Sequence, residues 1–286
     1  DKKFAYRIPQ EYIDSEYLIN MPCLKTHNEG AITLGAKNHQ GSILRPDHDP
    51  DEQLAMDMHY CLPKNNQGNG KYRHVVDYLG HEQLGGKTLV TIIDGIWAGR
   101  SWEGFVEKWK MAPFNNDYPS SLFLSQDKVA IDAVGFDFLL EEYKSKPSAQ
   151  QYPYIPGVDD YLYQAADPAY WAEGITYDPE NDGTPLRSLG VYEHWNNPVD
   201  KQYSRNLKTG NGIELVHVNL LNTNPDNSGL VSENVTDIVV DQYDVKWFGT
   251  DKGISRYNGT DWTTIDASNF LRDNYVNDMS YSNDNS

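Results

Sequence analysis

The run Lys87-Thr88-Leu89-Val90-Thr91-Ile92-Ile93-Asp94 constrains the fold more than any other stretch of the chain. It has strand length, and it is nearly continuously apolar where a half-exposed strand would alternate, so it predicts a central strand covered on both faces. Such a strand needs neighbours and helices, and the surrounding sequence supplies both. Leu18-Ile19-Asn20-Met21-Pro22 reads as a short buried strand stopped by the proline, and Ser121-Leu122-Phe123-Leu124-Ser125 as another strand. From Asp127 onward Val129, Ala133, Val134, Phe136, Phe138 and Leu139 recur at helical spacing and predict a helix of about 18 residues. Residues 145–190 are rich in Pro, Tyr, Asp and Gly and predict a loop-rich cap with one short helix around Tyr161 to Ala166. The expected architecture over 1–222 is therefore an α/β domain with a mixed or parallel sheet, flanking helices and that cap.

Past Thr223-Asn224-Pro225-Asp226-Asn227-Ser228-Gly229 the pattern becomes all-β, and it repeats. Leu230-Val231-Ser232-Glu233-Asn234-Val235-Thr236-Asp237-Ile238 returns 41 residues later as Leu271-Arg272-Asp273-Asn274-Tyr275-Val276-Asn277-Asp278-Met279. Between the copies, 245–250, 253–259 and 262–265 supply strands separated by Gly and Asn/Asp turns. These residues resemble the two-component-regulator propeller repeat. The resemblance implies that 223–286 forms one or two blades of a ring that must be completed elsewhere, with a protein or glycan partner and an extracytoplasmic (periplasmic or secreted) location. An incomplete blade also leaves a bare sheet edge, so association through residues 260–286 is expected.

Charge narrows the partners. With 24 Lys and Arg against 42 Asp and Glu, the net charge of −18 disfavours nucleic acid or an anionic membrane surface and favours cations. No apolar run approaches the roughly 18 residues of a membrane span, and no basic-then-apolar leader opens the sequence. Cys23 and Cys61 form no C-x-x-C pair, which excludes an iron–sulfur cluster or a four-thiolate zinc site within this chain; a single disulfide between them stays open.

Chemistry concentrates between residues 23 and 94, where six of the eight histidines fall: His27, His39, His48, His59, His74 and His81. Three blocks stand out: Met21-Pro22-Cys23-Leu24-Lys25-Thr26-His27, Ala31-Ile32-Thr33-Leu34-Gly35-Ala36-Lys37-Asn38-His39-Gln40-Gly41-Ser42, and Leu124-Ser125-Gln126-Asp127-Lys128-Val129-Ala130-Ile131-Asp132-Ala133-Val134-Gly135. In identity and order they resemble the family called domain of unknown function 362, over roughly residues 8–217. The family has no generally established activity. Some members are fused to ferredoxin-like domains, which implies redox or metal chemistry, and members usually carry an N-terminal α/β segment before the first block that is expected to be missing here.

Two ligand chemistries follow from these residues. His27, His39 and Asp94 are candidate ligands for a divalent transition metal held by N and O atoms, although the histidine spacings match no H-E-x-x-H pair and the fold would have to assemble the site. Lys25, Lys37, Asn38 and Ser42 are candidates to bind a small anion. Asp94 ends the apolar strand, where ligands of open α/β sheets sit, and is a candidate general base, with His39 and Lys37 as further acid–base groups. The spacing Gly35 to Gly41 is no Walker loop, since no Gly-Lys-Ser/Thr follows, and no G-x-S-x-G elbow supports a serine nucleophile. Asp127 suits a helix start, Asp132 reaches a site only if its helix face lines one, and the tyrosines of 152–170 with Trp171 form either an aromatic platform or cap packing. The reading that follows is a metal- or small-anion-binding α/β domain with redox or hydrolytic chemistry. Its rival is a non-catalytic interaction or sensor protein whose α/β domain is a scaffold.

Overall fold

The computed structural model describes residues 7–43, 58–218 and 229–280, so His48 and the 223–228 junction lie outside the described residues. The chain divides into two compact units, residues 1–215 and 216–286, a break slightly before the composition shift. Unit 1 contains helices α1 (Gln10–Asp14), α2 (Gly35–Asn38), α3 (Val75–Gly80), α4 (Lys128–Tyr143), α5 (Asp160–Ala166) and α6 (Ser204–Leu207). Its strands are β1 (Leu18–Asn20), β2 (Cys23–His27), β3 (Ala31–Thr33), β4 (Thr88–Arg100), β5 (Phe105–Val106) and β6 (Ser121–Ser125).

The sheet is assembled on β4. At Thr91 this strand pairs with Asn20 of β1 and Ser125 of β6, and at Asp94 with Cys23 of β2 and Leu122 of β6. A strand has two edges, so β1 and β2 lie end to end along one edge, parallel to β4, and β6 runs antiparallel along the other. Pro22 causes the break between β1 and β2: lacking an N–H, it keeps only its carbonyl, which accepts Asp94 N at 2.8 Å. β3 folds back antiparallel on β2, and β5 closes a hairpin on the end of β4. The sheet is mixed.

Helix α4 begins where the sequence places it. Asp127 is its N-cap, its carboxylate accepting Val129 N at 2.9 Å and Ala130 N at 2.8 Å. The helix stops at Tyr143, so Lys144 and Lys146 fall just beyond the last turn rather than inside it. Only Lys128, Leu140 and Glu141 of its 16 residues escape full burial, the mark of a helix packed on all sides. Three acids lie within that buried surface, and each holds a loop that has no ladder of its own. Asp132 accepts Gly35 N and Ala36 N; Asp137 accepts Trp195 N and the Tyr203 hydroxyl; Glu142 accepts Lys110 N and Met111 N.

The apolar strand expected to be covered on both faces, and the buried strand expected at residues 18–22, each leave one face bare. β4 is central in the lateral sense, paired on both edges, but only one face of it is covered among the described residues. Thr91 and Ile93 are buried against the helices. On the opposite face Ile19, Leu122 and Leu124 stay 60%, 53% and 63% exposed, with Ile96 beside them. The continuous apolar run thus reflects two differently covered faces, an apolar core face and an apolar bare one.

The cap is loop-rich as expected, with α5 at 160–166 as its short helix. Unit 2 is an antiparallel meander of β7 (Val235–Val240), β8 (Lys246–Thr250), β9 (Gly253–Tyr257) and β10 (Trp262–Ile265), in the order β10-β9-β8-β7. The second copy of the repeat contacts the first: Val276 N donates to Thr250 O at 3.0 Å, and Met279 N to Asp237 Oδ2 at 2.6 Å. A Cβ at Gly249 would stand 2.9 Å from Val276 Cγ1, so glycine leaves room for that contact.

Candidate functional site

Strands β2 and β3, helix α2 and the short turns at 40–43 and 58–59 line a cavity of about 370 Å³. Its polar wall consists of Lys25, His27, Thr33, Lys37, Asn38, Gln40 and His59, with Ile43 and Met58 as apolar members. Among the described lining residues there is no Asp or Glu, in a chain whose net charge is −18.

Hydrogen bonds fix the state of His27. The β2–β3 turn aims Glu29 N and Gly30 N at its Nδ1, both at 3.0 Å, so Nδ1 accepts and the ring proton of the neutral form sits on Nε2. Burial, reinforced by the nearby charges of Lys37 and Lys25, lowers its pKa to about 3. His27 is therefore a neutral N–H donor. A metal needs the lone pair that this tautomer lacks on Nε2. His59 stacks on it with ring centroids 6.3 Å apart, and Gln40 bridges to further histidines, its Nε2 lying 3.5 Å from His59 Nδ1 and its Oε1 3.4 Å from His74 Nε2.

Lys25 enters from the next inward position of β2. Its ammonium donates to the carbonyls of Ser101 at 3.3 Å and Trp102 at 3.1 Å, and burial lowers its pKa. Thr33 Oγ1 is buried with no partner. Lys37 and Asn38 come from α2, a turn of four residues whose N-cap, Leu34, makes no side-chain bond. Asp132 supplies the cap from another helix, accepting Gly35 N at 2.7 Å and Ala36 N at 2.9 Å. Those amides are already occupied, which is the physical reason the Gly35-to-Gly41 stretch is not a phosphate loop.

The other expected residues lie elsewhere. His39 is buried outside the cavity wall; Asn20 Nδ2 donates to its Nε2 at 3.2 Å and burial lowers its pKa to about 4. Asn20 also holds α2 in place, donating to Gly35 O and accepting from Asn38 Nδ2. Asp94 lies in register with Leu122 and Cys23 on the bare face of the sheet, its Oδ1 accepting Ile96 N at 2.9 Å. Ser42 ends the short 3₁₀ turn after α2, off the cavity wall. The fold thus brings Lys25, His27, Lys37 and Asn38 together and separates His27, His39 and Asp94; among the described residues no group of three His, Cys, Asp or Glu could hold a metal. Both cysteines are free thiols. Of the aromatic segment, Tyr161 bonds Asp132 at 3.1 Å and Trp171 Nε1 donates to Gln164 O, so these rings pack the cap.

Sequence reasoning missed Thr33, Gln40 and His59 as lining residues, and Asn20 as the clamp behind them. Thr33 and Gln40 lie inside the second family-like block, a signal that was present; Asn20, at a strand end, offered none. It also missed His194, whose Nδ1 lies 2.5 Å from Asp137 Oδ1 and whose Nε2 lies 2.7 Å from the Tyr192 hydroxyl.

Comparison with known families gives one match. The model of the family described as domain of unknown function (DUF362) matches residues 2–137, a stretch that contains all the lining residues of the cavity. The match stops well short of residue 217, where the resemblance was expected to end. Neither the curated proteins nor the solved structures contain a match to this chain.

Proposed function

We propose that unit 1 binds a small oxyanion, a phosphate or a carboxylate, in the cavity between β2 and α2. The observation that carries this reading is the wall itself: two lysines, an imidazole fixed as an N–H donor, an unpartnered buried hydroxyl and two side-chain amides, with no carboxylate among the described lining residues. Donor groups in a partly water-excluded concavity are the arrangement that favours an anion, and the lysines supply charge while the amides supply orientation.

Catalysis is a weaker reading. Asp94 is on the bare sheet face and His39 is buried outside the wall, so of the three acid–base groups expected from the sequence only Lys37 lines the cavity. The test is calorimetric titration of the wild type, Lys25→Ala and Lys37→Ala with inorganic phosphate and with acetate. Saturable uptake of one of these ions, weakened about tenfold by either substitution, supports the reading; equal uptake in all three proteins, or none in the wild type, rejects it.

We also infer that unit 2 is a propeller-like blade that docks on further copies of its own repeat. The supporting observation is the packing of Val276 and Met279, the second copy, over Gly249 of the first. Appending two more consensus repeats after residue 280 should raise the melting temperature of unit 2 if consecutive sheets stack, and an unchanged transition would reject stacking.

A further inference from the structure

We propose that Asp132 is the positioning residue of the anion cavity, holding the α2 turn so that Lys37 and Asn38 face the bound ion; this rests on the anion reading above. A four-residue helix cannot hold itself together, because nucleating a turn fixes more backbone than its few hydrogen bonds offset. α2 has no side-chain cap of its own, and its first two amides end on the two oxygens of one carboxylate, Oδ1 to Gly35 N at 2.7 Å and Oδ2 to Ala36 N at 2.9 Å. That carboxylate is 0% exposed, and Oδ2 takes a third bond from the Tyr161 hydroxyl at 3.1 Å. The approach is close: a Cβ at residue 35 would stand 2.9 Å from Asp132 Oδ1, so the residue that receives the carboxylate must be glycine.

The consequence is a division of labour. Asp132 satisfies the amides that an external anion would otherwise take, and the anion is left to the side chains that the same turn presents. Asparagine at 132 keeps the shape but turns an NH₂ toward one of the two amides, so one backbone donor loses its partner. Tyr161→Phe removes only the third bond and leaves both amides held.

The experiment is amide hydrogen exchange at Gly35 and Ala36, read with phosphate titration, on the wild type, Asp132→Asn and Tyr161→Phe. In the wild type both amides should be protected with or without phosphate. In Asp132→Asn one of the two should exchange at least about tenfold faster, with α4 protection unchanged, and phosphate affinity should fall about tenfold; Tyr161→Phe should change each by no more than about twofold. Unprotected amides in the wild type overturn the proposal without recourse to any variant, should Asp132→Asn fail to fold. Faster exchange with unchanged phosphate affinity also overturns it. Failure of the anion reading is distinguishable, because it appears as absence of phosphate uptake by a wild type whose two amides are protected.

Discussion

The two units put the same residue type to opposite use. In unit 1 Asp132, Asp137 and Asp160 go inside, where burial pushes Asp132 and the half-buried Asp77 up to about 6, and Asp132 works by gathering backbone amides from the distant α2 turn. In unit 2 Asp266 stays outside at a turn and Asp237 stands half-exposed on β7, and bonds from the Met279 amide to Asp237 and from Ser268 to Asp266 hold their carboxyls below the usual range. The difference follows from what each fold needs. A meander satisfies its backbone through its own ladder, whereas a domain with long loops around one buried helix must satisfy loop amides with side chains. Unit 1 therefore holds its loops to the core through a few buried polar contacts, and unit 2 holds its strands through their own pairing.

That contrast sets the order of expected effects. Asp132→Ala strands two buried amides and a hydroxyl, and should destabilise unit 1 by about 3 kcal/mol in denaturant unfolding. Asp266→Ala in unit 2 should leave stability nearly unchanged, and a large loss there would break the comparison. Glu142→Ala should cost about 2 kcal/mol by releasing Lys110 N and Met111 N, read by the same method. Gly249→Ala should cost about 1 kcal/mol, because the new methyl would stand 2.9 Å from Val276 Cγ1 and force that contact to shift.

Acid separates the units in another way. His27, His39 and His74 have folded-state pKa values of about 3, 4 and 3, below the ordinary 6.5, so the unfolded chain binds their protons first. Their contribution is intact above pH 6.5 and is lost as pH falls below it. Asp77 and Asp132, raised to about 6, act in the opposite sense and restore stability as pH falls through that value. Burial raises Glu142 in the same sense, but the histidine shifts are the larger, so unit 1 should weaken between pH 6.5 and 4 while unit 2 holds until its lowered carboxyls protonate. His194 answers at the other end: its hydrogen bond to Asp137 raises its pKa, a contribution present below pH 6.5 and lost as pH rises through the raised value. In His194→Gln the thermal stability of unit 1 should lose that high-pH dependence. Near-ultraviolet circular dichroism against pH, with tryptophan signals from both units, checks the sequence of events.

Local pattern made much of the fold legible. The helical spacing from Val129 to Leu139 and the capping Asp127 located α4, and Ser121–Ser125 is β6 to the residue. Coverage was not legible in the same way, because an apolar side chain on a buried face and one on a bare face read alike: Ile93 and Leu124 differ in surroundings, not in type. For the cavity, Lys25, His27, Lys37 and Asn38 were found because they cluster in sequence. Asp94 was placed by the rule that ligands gather at strand ends, yet β4 continues six residues past it to Arg100, so it is not an end. Asp132 lies 97 residues from the amide it holds, a contact that no local pattern encodes.

The central claim is a wall of fixed donors, and the tautomer of His27 tests it most directly. Nitrogen-15 chemical shifts of that imidazole, followed from pH 7 downward, should show a neutral ring protonated on Nε2 that resists a second proton until pH falls to about 3, and added phosphate should shift Nε2 while raising that pKa. A ring protonated on Nδ1, or one titrating near 6.5 with no response to phosphate, would contradict the account.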